Sequence, residues 1–423
     1  MNGREALVDG RNTADLYKTH LSSGRGRLGE MFGGHVEASS SGARVLTEDG
    51  RSFLNCGGYG VFLTGACHPR VVEAVERQVR THPLSTRMLL DPAAGRAAAA
   101  LAGVTPPGLD RMHFCGSGAE AVEAALKLAR SHGRHRIIAM RDGYHGKTLG
   151  ALSATGKDLY RAPFLPLLPT THVPYGDAAA LAEALGADAS DAVVILEPVQ
   201  GEAGVVIPPE GYLREVSDLC RRQGAFLVLD EVMTGLGRLG TWWGADREGI
   251  VPDVLLVGKA LSGGVIPVAA AVATEEAFAP FDRDPFIHTS TFAAAPVAMA
   301  AVEAAVGTIR DEGLVDRART LGERILSALR AAVAEHCPHL VREVRGAGLL
   351  IGVEFQDPGL AGEFLLELLH GNVIVNHSLN AHAVVRLTPP AVLDEADVQE
   401  LTAALHAAAR ALGERFPHLK GNS

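Results

Sequence analysis

Positive charge is in short supply in this chain relative to negative. Its 423 residues hold 39 Lys and Arg against 49 Asp and Glu, a formal net charge of −10 at pH 7. Polyanions are recognised through clustered cations, so this balance argues against a nucleic-acid backbone or an anionic membrane surface as partner. Small anions remain open, because one local positive site is enough to bind them. Cysteine is scarce too: Cys56, Cys67, Cys115, Cys220 and Cys337 form no close pair and no metal-ligand spacing. That excludes a disulfide framework and fits a reducing, cytoplasmic setting. No apolar stretch reaches the roughly 18 residues of a membrane span, and Met1 to His20 contains no apolar signal region. Aromatic residues are only 5% of the chain, whereas apolar residues as a whole are 47%. A large interior built from Ala, Gly and Val suits an α/β enzyme rather than a disordered scaffold.

The length exceeds what one hydrophobic core usually holds, so two domains are expected. Continuous apolar runs mark strands covered on both faces: Met112 to Phe114, Ile137 to Met140, Val193 to Leu196, Phe226 to Leu229, Val254 to Val257 and Val268 to Ala273. Helical periodicity lies between them at Glu120 to Arg130 and Tyr212 to Arg222, and the Ala-rich tract Ala93 to Ala102 also reads as helix. The pattern is an open α/β sheet, in which ligands collect at the carboxyl ends of strands. Short strand candidates such as Ala43 to Leu46 precede it. A long amphipathic helix from Leu314, the segment Gly348 to Phe355 and a helical tail follow. The organisation predicted is an N-terminal segment, 1–60, packing with a smaller C-terminal domain, 313–423, around a large domain, 61–312.

Two strand ends carry the chemistry. Phe226 to Leu229 runs into Asp230-Glu231, and Val254 to Val257 runs into Gly258-Lys259. A buried amine and a buried carboxylate side by side are what pyridoxal phosphate (PLP) catalysis needs. The lysine forms a Schiff base with the cofactor aldehyde, and the aspartate keeps the pyridine nitrogen protonated. Ser117-Gly118-Ala119 opens a helix after the first strand. Alone it is an ordinary cap, but beside a PLP lysine it offers backbone N–H groups to a phosphate. Tyr144 follows the second strand, where an aromatic can lie against a cofactor ring. His145 has no second ligand at metal spacing, and His132 and His135 read as a solvated helix end, so no metal site is expected. Glu197 and Glu202 lie just past a strand. Arg386 sits between Val385 and Leu387 in an apolar run, where a charge needs a partner. A substrate carboxylate, with Glu202 as stand-in, would satisfy it, as would a purely structural ion pair.

As a set, these residues resemble the class III PLP-dependent aminotransferases. The motifs are Ser117-Gly118-Ala119-Glu120-Ala121, Tyr144-His145-Gly146-Lys147, Glu197-Pro198-Val199-Gln200-Gly201-Glu202, Asp230-Glu231-Val232-Met233-Thr234-Gly235 and Gly258-Lys259-Ala260. They occur in the family's order from about Arg44 to Pro390. Within the family the chain is most similar to putrescine aminotransferases, through Gly146 to Thr155, Pro163 to Pro169 and Pro285 to Phe292. The resemblance implies a fold-type I enzyme: a large domain with a mostly parallel seven-stranded sheet covered by helices, and a smaller α+β domain.

It further implies that Lys259 carries the cofactor and shuttles a proton, while Asp230 pairs with the pyridine nitrogen. His145 lies in the cofactor site, Tyr144 stacks on one ring face and Val232 presses the other. Ser117, Gly118 and Ala119 hold the phosphate. Thr291 reaches the phosphate of a neighbouring subunit, which makes the homodimer obligatory. Glu202 and Arg386 form a switchable carboxylate gate. The sequence departs from the family pattern at Ala119, at Met233, which replaces a cofactor-facing glutamine, and at Ala293-Ala294-Ala295. All three are expected near the cofactor.

The expected activity is transfer of an amino group from a putrescine- or ornithine-like donor to a 2-oxo acid. The altered cofactor shell motivates an alternative: a PLP-dependent lyase, racemase, or γ-replacement or carbon–carbon bond-forming enzyme of specialised metabolism, using a substrate such as S-adenosylmethionine. A non-catalytic scaffold is disfavoured because Lys259 and Asp230 are both present.

Overall fold

The structure is a computed structural model in which residues 12–417 and 419 are described. Its centre is a seven-stranded sheet. In spatial order the strands are Arg111–Cys115, Ala269–Ala273, Val254–Val257, Phe226–Asp230, Ala192–Leu196, Arg136–Met140 and Thr170–Val173. Ala269–Ala273 pairs antiparallel with both of its neighbours, and every other pairing is parallel. The mostly parallel sheet expected from the sequence is therefore present. Ala192–Leu196, Phe226–Asp230 and Val254–Val257 are buried along their whole length, as strands with helices on both faces must be. Every residue of Ala269–Ala273 is inaccessible. Its alanines let the helix Gly118–Ser131 lie close across the sheet. The other face carries the helices Pro92–Ala102, Ala178–Leu185 and Tyr212–Gln223, and Pro92–Ala102 packs in turn on Pro296–Asp311, which also packs on Pro69–Thr81.

A second sheet is wholly antiparallel, in the order Val341–Ala347, Leu350–Phe355, Val384–Leu387 and Asn376–His377. The helices Leu314–His336 and Pro358–His370 pack on it, and Glu395–Arg415 packs on both of them. A third sheet joins the two ends of the chain. Glu37–Ser41, Arg44–Thr47 and Ser52–Asn55 form a meander, and Val373–Ile374 adds to it in parallel. Arg44 reinforces the junction by bonding Asp397 and Glu400 on the last helix. Among the described residues, no helix is long and apolar enough to cross a membrane.

What positions the site is the level carboxyl edge of the central sheet. Leu196 lies opposite Leu229, and Asp230 lies opposite Leu256. The segments that follow these strands therefore emerge side by side, over one rim.

Candidate active site

A cavity of about 580 Å³ opens at that rim. Asp230 ends its strand with its side chain only 6% exposed. One carboxylate oxygen faces His145 Nδ1 at 2.7 Å, and the other accepts the Val232 N–H at 3.1 Å. These two contacts fix the carboxylate plane. His145 is itself buried, and its Nε2 has no partner among the described residues.

Lys259 enters from the neighbouring strand. Gly258 is extended, and Lys259 after it is left-handed, with φ +46°. A non-glycine residue in that region is strained, and such strain persists only where the surroundings enforce it. Here it turns the lysine into the cavity rather than along the following helical turn, Lys259–Ser262. Burial lowers the pKa of the amine below its ordinary value, an effect that Glu202 and Asp230 oppose. Desolvation of this kind favours a neutral, basic amine.

The remaining walls come from adjacent strand ends. Ser117 caps the helix Gly118–Ser131, its hydroxyl accepting the Glu120 N–H at 3.3 Å. The first N–H groups of a helix have no partner within it, so Gly118 and Ala119 present donors at the rim. The helix start and Val232 are tightly packed here: a Cβ at 118 would lie 3.0 Å from a Val232 methyl, which would have to give way slightly. Tyr144 and Val232 both line the cavity, as do Met233 and Lys147. Lys147 Nζ sits 4.0 Å above the Tyr160 ring.

Glu197 has a larger structural part than its sequence position conveys. Its two oxygens accept the N–H groups of Tyr144 and Gly201, each at 3.0 Å. It thereby ties the loop bearing Tyr144 to the loop bearing Glu202. Burial, with Asp230 nearby, pushes its pKa up to about 7 despite the opposing influence of His145. Glu231, next to Asp230, points away and accepts the Gly244 and Ala245 N–H groups at 2.9 and 2.8 Å.

Glu202 lines the cavity, and Arg386 stands behind it on Val384–Leu387 of the second sheet. Arg386 Nη1 bonds Glu202 Oε1 at 2.9 Å and the Gly201 carbonyl at 3.1 Å. The guanidinium is completely buried, and its Nε and Nη2 have no partner among the described residues. Two donors are thus held ready beside a single carboxylate.

One further buried cation went unnoticed in the sequence. Among the described residues Arg238 has no carboxylate partner, and it donates instead to the carbonyls of Leu349, Pro389 and Gly60. Burial and the proximity of Arg386 lower its pKa to about 9. No sequence signal separates it from a surface arginine in its Gly-Leu-Gly-Arg-Leu-Gly run.

The structure brings Ser117, Gly118, Ala119, Tyr144, His145, Glu202, Asp230, Val232, Met233 and Lys259 to one cavity. Thr291 is not among its lining residues within one chain. Ala293, Ala294 and Ala295 line a different depression, with Arg87 and His288. Of the three departures expected beside the cofactor, Ala119 and Met233 lie at the cavity and the alanine run does not.

A seven-stranded, mostly parallel sheet with a lysine and an aspartate on adjacent strand ends defines a fold-type I PLP enzyme. Residues 30–409 match the family described as aminotransferase class-III, and the chain belongs to that family. An ornithine aminotransferase from Toxoplasma gondii ME49 superposes with a TM-score of 0.88 at 30% identity, covering 98% of this chain and 100% of that one. A second Toxoplasma gondii structure, with PLP partially occupying its active site, is 31% identical over 90% of each chain, with a TM-score of 0.85. Plasmodium falciparum ornithine δ-aminotransferase is 30% identical, covering 90% of this chain and 94% of that one, with a TM-score of 0.78. The protein is a PLP-dependent transferase whose substrates are an amine or amino acid and a 2-oxo acid. The residues present fit the cofactor: a helix start with free donors, a buried carboxylate for a protonated ring nitrogen, and a desolvated lysine surround one cavity.

Proposed function

We propose that this cavity moves an amino group from the terminal amine of a putrescine- or ornithine-like donor to a 2-oxo acid. The observation that carries the reading is the Glu202–Arg386 pair, a buried cation neutralised by a carboxylate at the cavity wall. A donor without a carboxylate beside its reacting amine leaves that pair closed. A 2-oxo acid brings its own carboxylate, which can replace Glu202 and engage the unpartnered Nε and Nη2 of Arg386 in fork geometry. One site then accepts both substrates in turn. The likeness to ornithine aminotransferases supports the same donor class.

When bound, PLP supplies a sink for the electron pair left as the donor carbon loses its proton. In the proposed roles, Gly118 and Ala119 N–H and the Ser117 hydroxyl hold the phosphate, and Asp230, oriented by His145, holds a proton on the ring nitrogen. Tyr144 and Val232 confine the ring between them. Lys259 Nζ would carry the proton from the donor carbon to the cofactor, and in the second half-reaction would carry a proton from the cofactor to the carbon of the 2-oxo acid. Its burial favours the neutral amine this requires. Met233 offers a thioether in place of an amide, so a cofactor held in the cavity would receive no side-chain donor from that position.

The proposed enzyme is a homodimer in which Thr291 contributes to the partner's phosphate site. Support comes from apolar side chains left open in a single chain. Met88, Leu89 and Leu90 on one segment and Phe286 and Phe292 on another are all at least 71% exposed. Arg87 joins the segments by donating to the Ala293 carbonyl at 3.1 Å. Contiguous exposed apolar surface of this kind marks an interface.

Separate measurement of the two half-reactions tests the reading. Arg386→Met is expected to raise KM for the 2-oxo acid by roughly 10- to 100-fold, the worth of one or two charge-assisted hydrogen bonds. The half-reaction with putrescine should change far less. Glu202→Gln removes the competing carboxylate and should lower that KM. Equal losses in both half-reactions for Arg386→Met would contradict the gate.

A further inference from the structure

Far from the cavity, three ligand-type side chains meet where two long helices cross. His336 is the last residue of Leu314–His336, with Glu335 beside it, and His406 lies in the middle of Glu395–Arg415. His336 Nε2 and His406 Nδ1 face each other at 3.4 Å, with the ring planes at 84°. The two Glu335 oxygens lie 3.6 Å from those same nitrogens, one each. Among the described residues this is the one cluster of three or more His, Cys, Asp or Glu ligand atoms close enough to share an ion.

The spacing is long for hydrogen bonds and well suited to a metal. Neutral imidazoles or a carboxylate pair best near 2.7 to 3.0 Å. Ligands placed tetrahedrally about Zn²⁺, with bonds of roughly 2.0–2.1 Å, stand about 3.3–3.4 Å apart. The 3.4 Å between the two ring nitrogens matches that figure, and Glu335, which reaches each nitrogen with a different oxygen at 3.6 Å, needs only a small side-chain rotation to turn one oxygen towards both. The backbones are also fixed at this crossing. Gly413 lies seven residues, about two turns, beyond His406 on the same helix face. A Cβ on Gly413 would stand 2.0 Å from the His336 carbonyl oxygen. The helices therefore hold the ligands at a set separation, with His336 11% and His406 29% exposed at their side chains.

We propose that Glu335, His336 and His406 bind a borderline divalent cation of the Zn²⁺ or Co²⁺ type, with water completing a tetrahedron. Two imidazoles and one carboxylate are the donor set such ions prefer over Mg²⁺ or Ca²⁺. The ion clips Glu395–Arg415 to Leu314–His336, the helix that packs on the sheet bearing Arg386. Because the ligands come from positions 70 residues apart, the site exists only in the folded chain, and binding raises stability by mass action.

Chelator-treated holoenzyme titrated with Co²⁺ tests this directly. One equivalent should produce a visible ligand-field band to the red of the cofactor's absorbance, and Zn²⁺ should abolish it. Zn²⁺ should also raise Tm by several degrees in the native protein. Both effects should vanish in Glu335→Gln/His406→Gln, whose circular dichroism and aminotransferase turnover should match the native protein without metal. His336→Asn provides a second variant, with at least a tenfold loss of Co²⁺ affinity expected. An absent band, or a band and Tm shift that survive in the double variant, would overturn the proposal and leave the cluster as a surface ion pair.

Discussion

Lys259 owes its place to a single backbone feature. The left-handed φ of +46° aims it into the cavity, and burial favours its neutral form. Lys259→Ala should lower turnover by at least about a thousandfold, within the range usual for loss of a positioned acid–base group. Borohydride treatment followed by peptide mass analysis should label native Lys259 and nothing in the variant. Activity near that of the native protein would remove Lys259 from the proton-transfer step. The roles proposed for Lys259, Asp230 and Ser117 were legible in sequence because each stands at a strand end or helix start, where main-chain geometry leaves little choice. Arg238 was not, because its partners are three carbonyls from distant segments. Nor were the partners of Glu197, since N–H groups carry no residue identity.

Among the elements, the six apolar runs all became strands, Val254 to Val257 with the same bounds and the others shifted by one residue at one or both ends. Val268 to Ala273 showed the same continuous burial as its neighbours yet runs antiparallel, because apolar periodicity reports coverage and not direction. The edge strand Thr170–Val173 was missed, its pattern of partial exposure giving no continuous run. Close approaches are also invisible in composition. A Cβ on Gly322 would lie 2.1 Å from the Gly348 carbonyl oxygen, where the helix Leu314–His336 meets the turn before Leu350–Phe355. Gly322→Ala should therefore destabilise the protein by roughly 1–3 kcal/mol, read as a lower denaturant midpoint. An unchanged midpoint would show that the turn yields freely.

The buried acids make a pH-dependent contribution at the same scale. Glu197 and Glu231 each have a pKa raised from 4.5 to about 7, chiefly by burial. The folded state thus binds protons more tightly than the unfolded state, so their contribution to stability is greatest below pH 4.5 and is lost as pH rises through 7. Denaturation midpoints measured from pH 4.5 to 7.5 should fall less steeply in Glu197→Gln than in the native protein. A steeper fall would reverse the sign of the argument.

At the scale of the whole molecule, the apolar side chains of 88–90, 286 and 292 point to a second copy as the missing cover. Phe286→Asp/Leu90→Asp should yield a monomer by light scattering, and activity should fall together with the dimer fraction. A fully active monomer would exclude a phosphate site shared between subunits. The third sheet, in which Val373–Ile374 joins Ser52–Asn55, and the helix crossing at His336 and His406 both depend on contacts between distant parts of the chain. Neither could be read from local pattern, whereas the rim of the central sheet could.

The central claim, amino transfer at the Lys259 and Asp230 rim, is tested most directly by following nitrogen. Holoenzyme supplied with ¹⁵N-labelled putrescine or ornithine and unlabelled 2-oxoglutarate should yield ¹⁵N-glutamate, one equivalent for each equivalent of donor converted to its aldehyde. Donor consumption that leaves ¹⁵N out of the glutamate, or that continues beyond one turnover per active site without any 2-oxo acid, would contradict it.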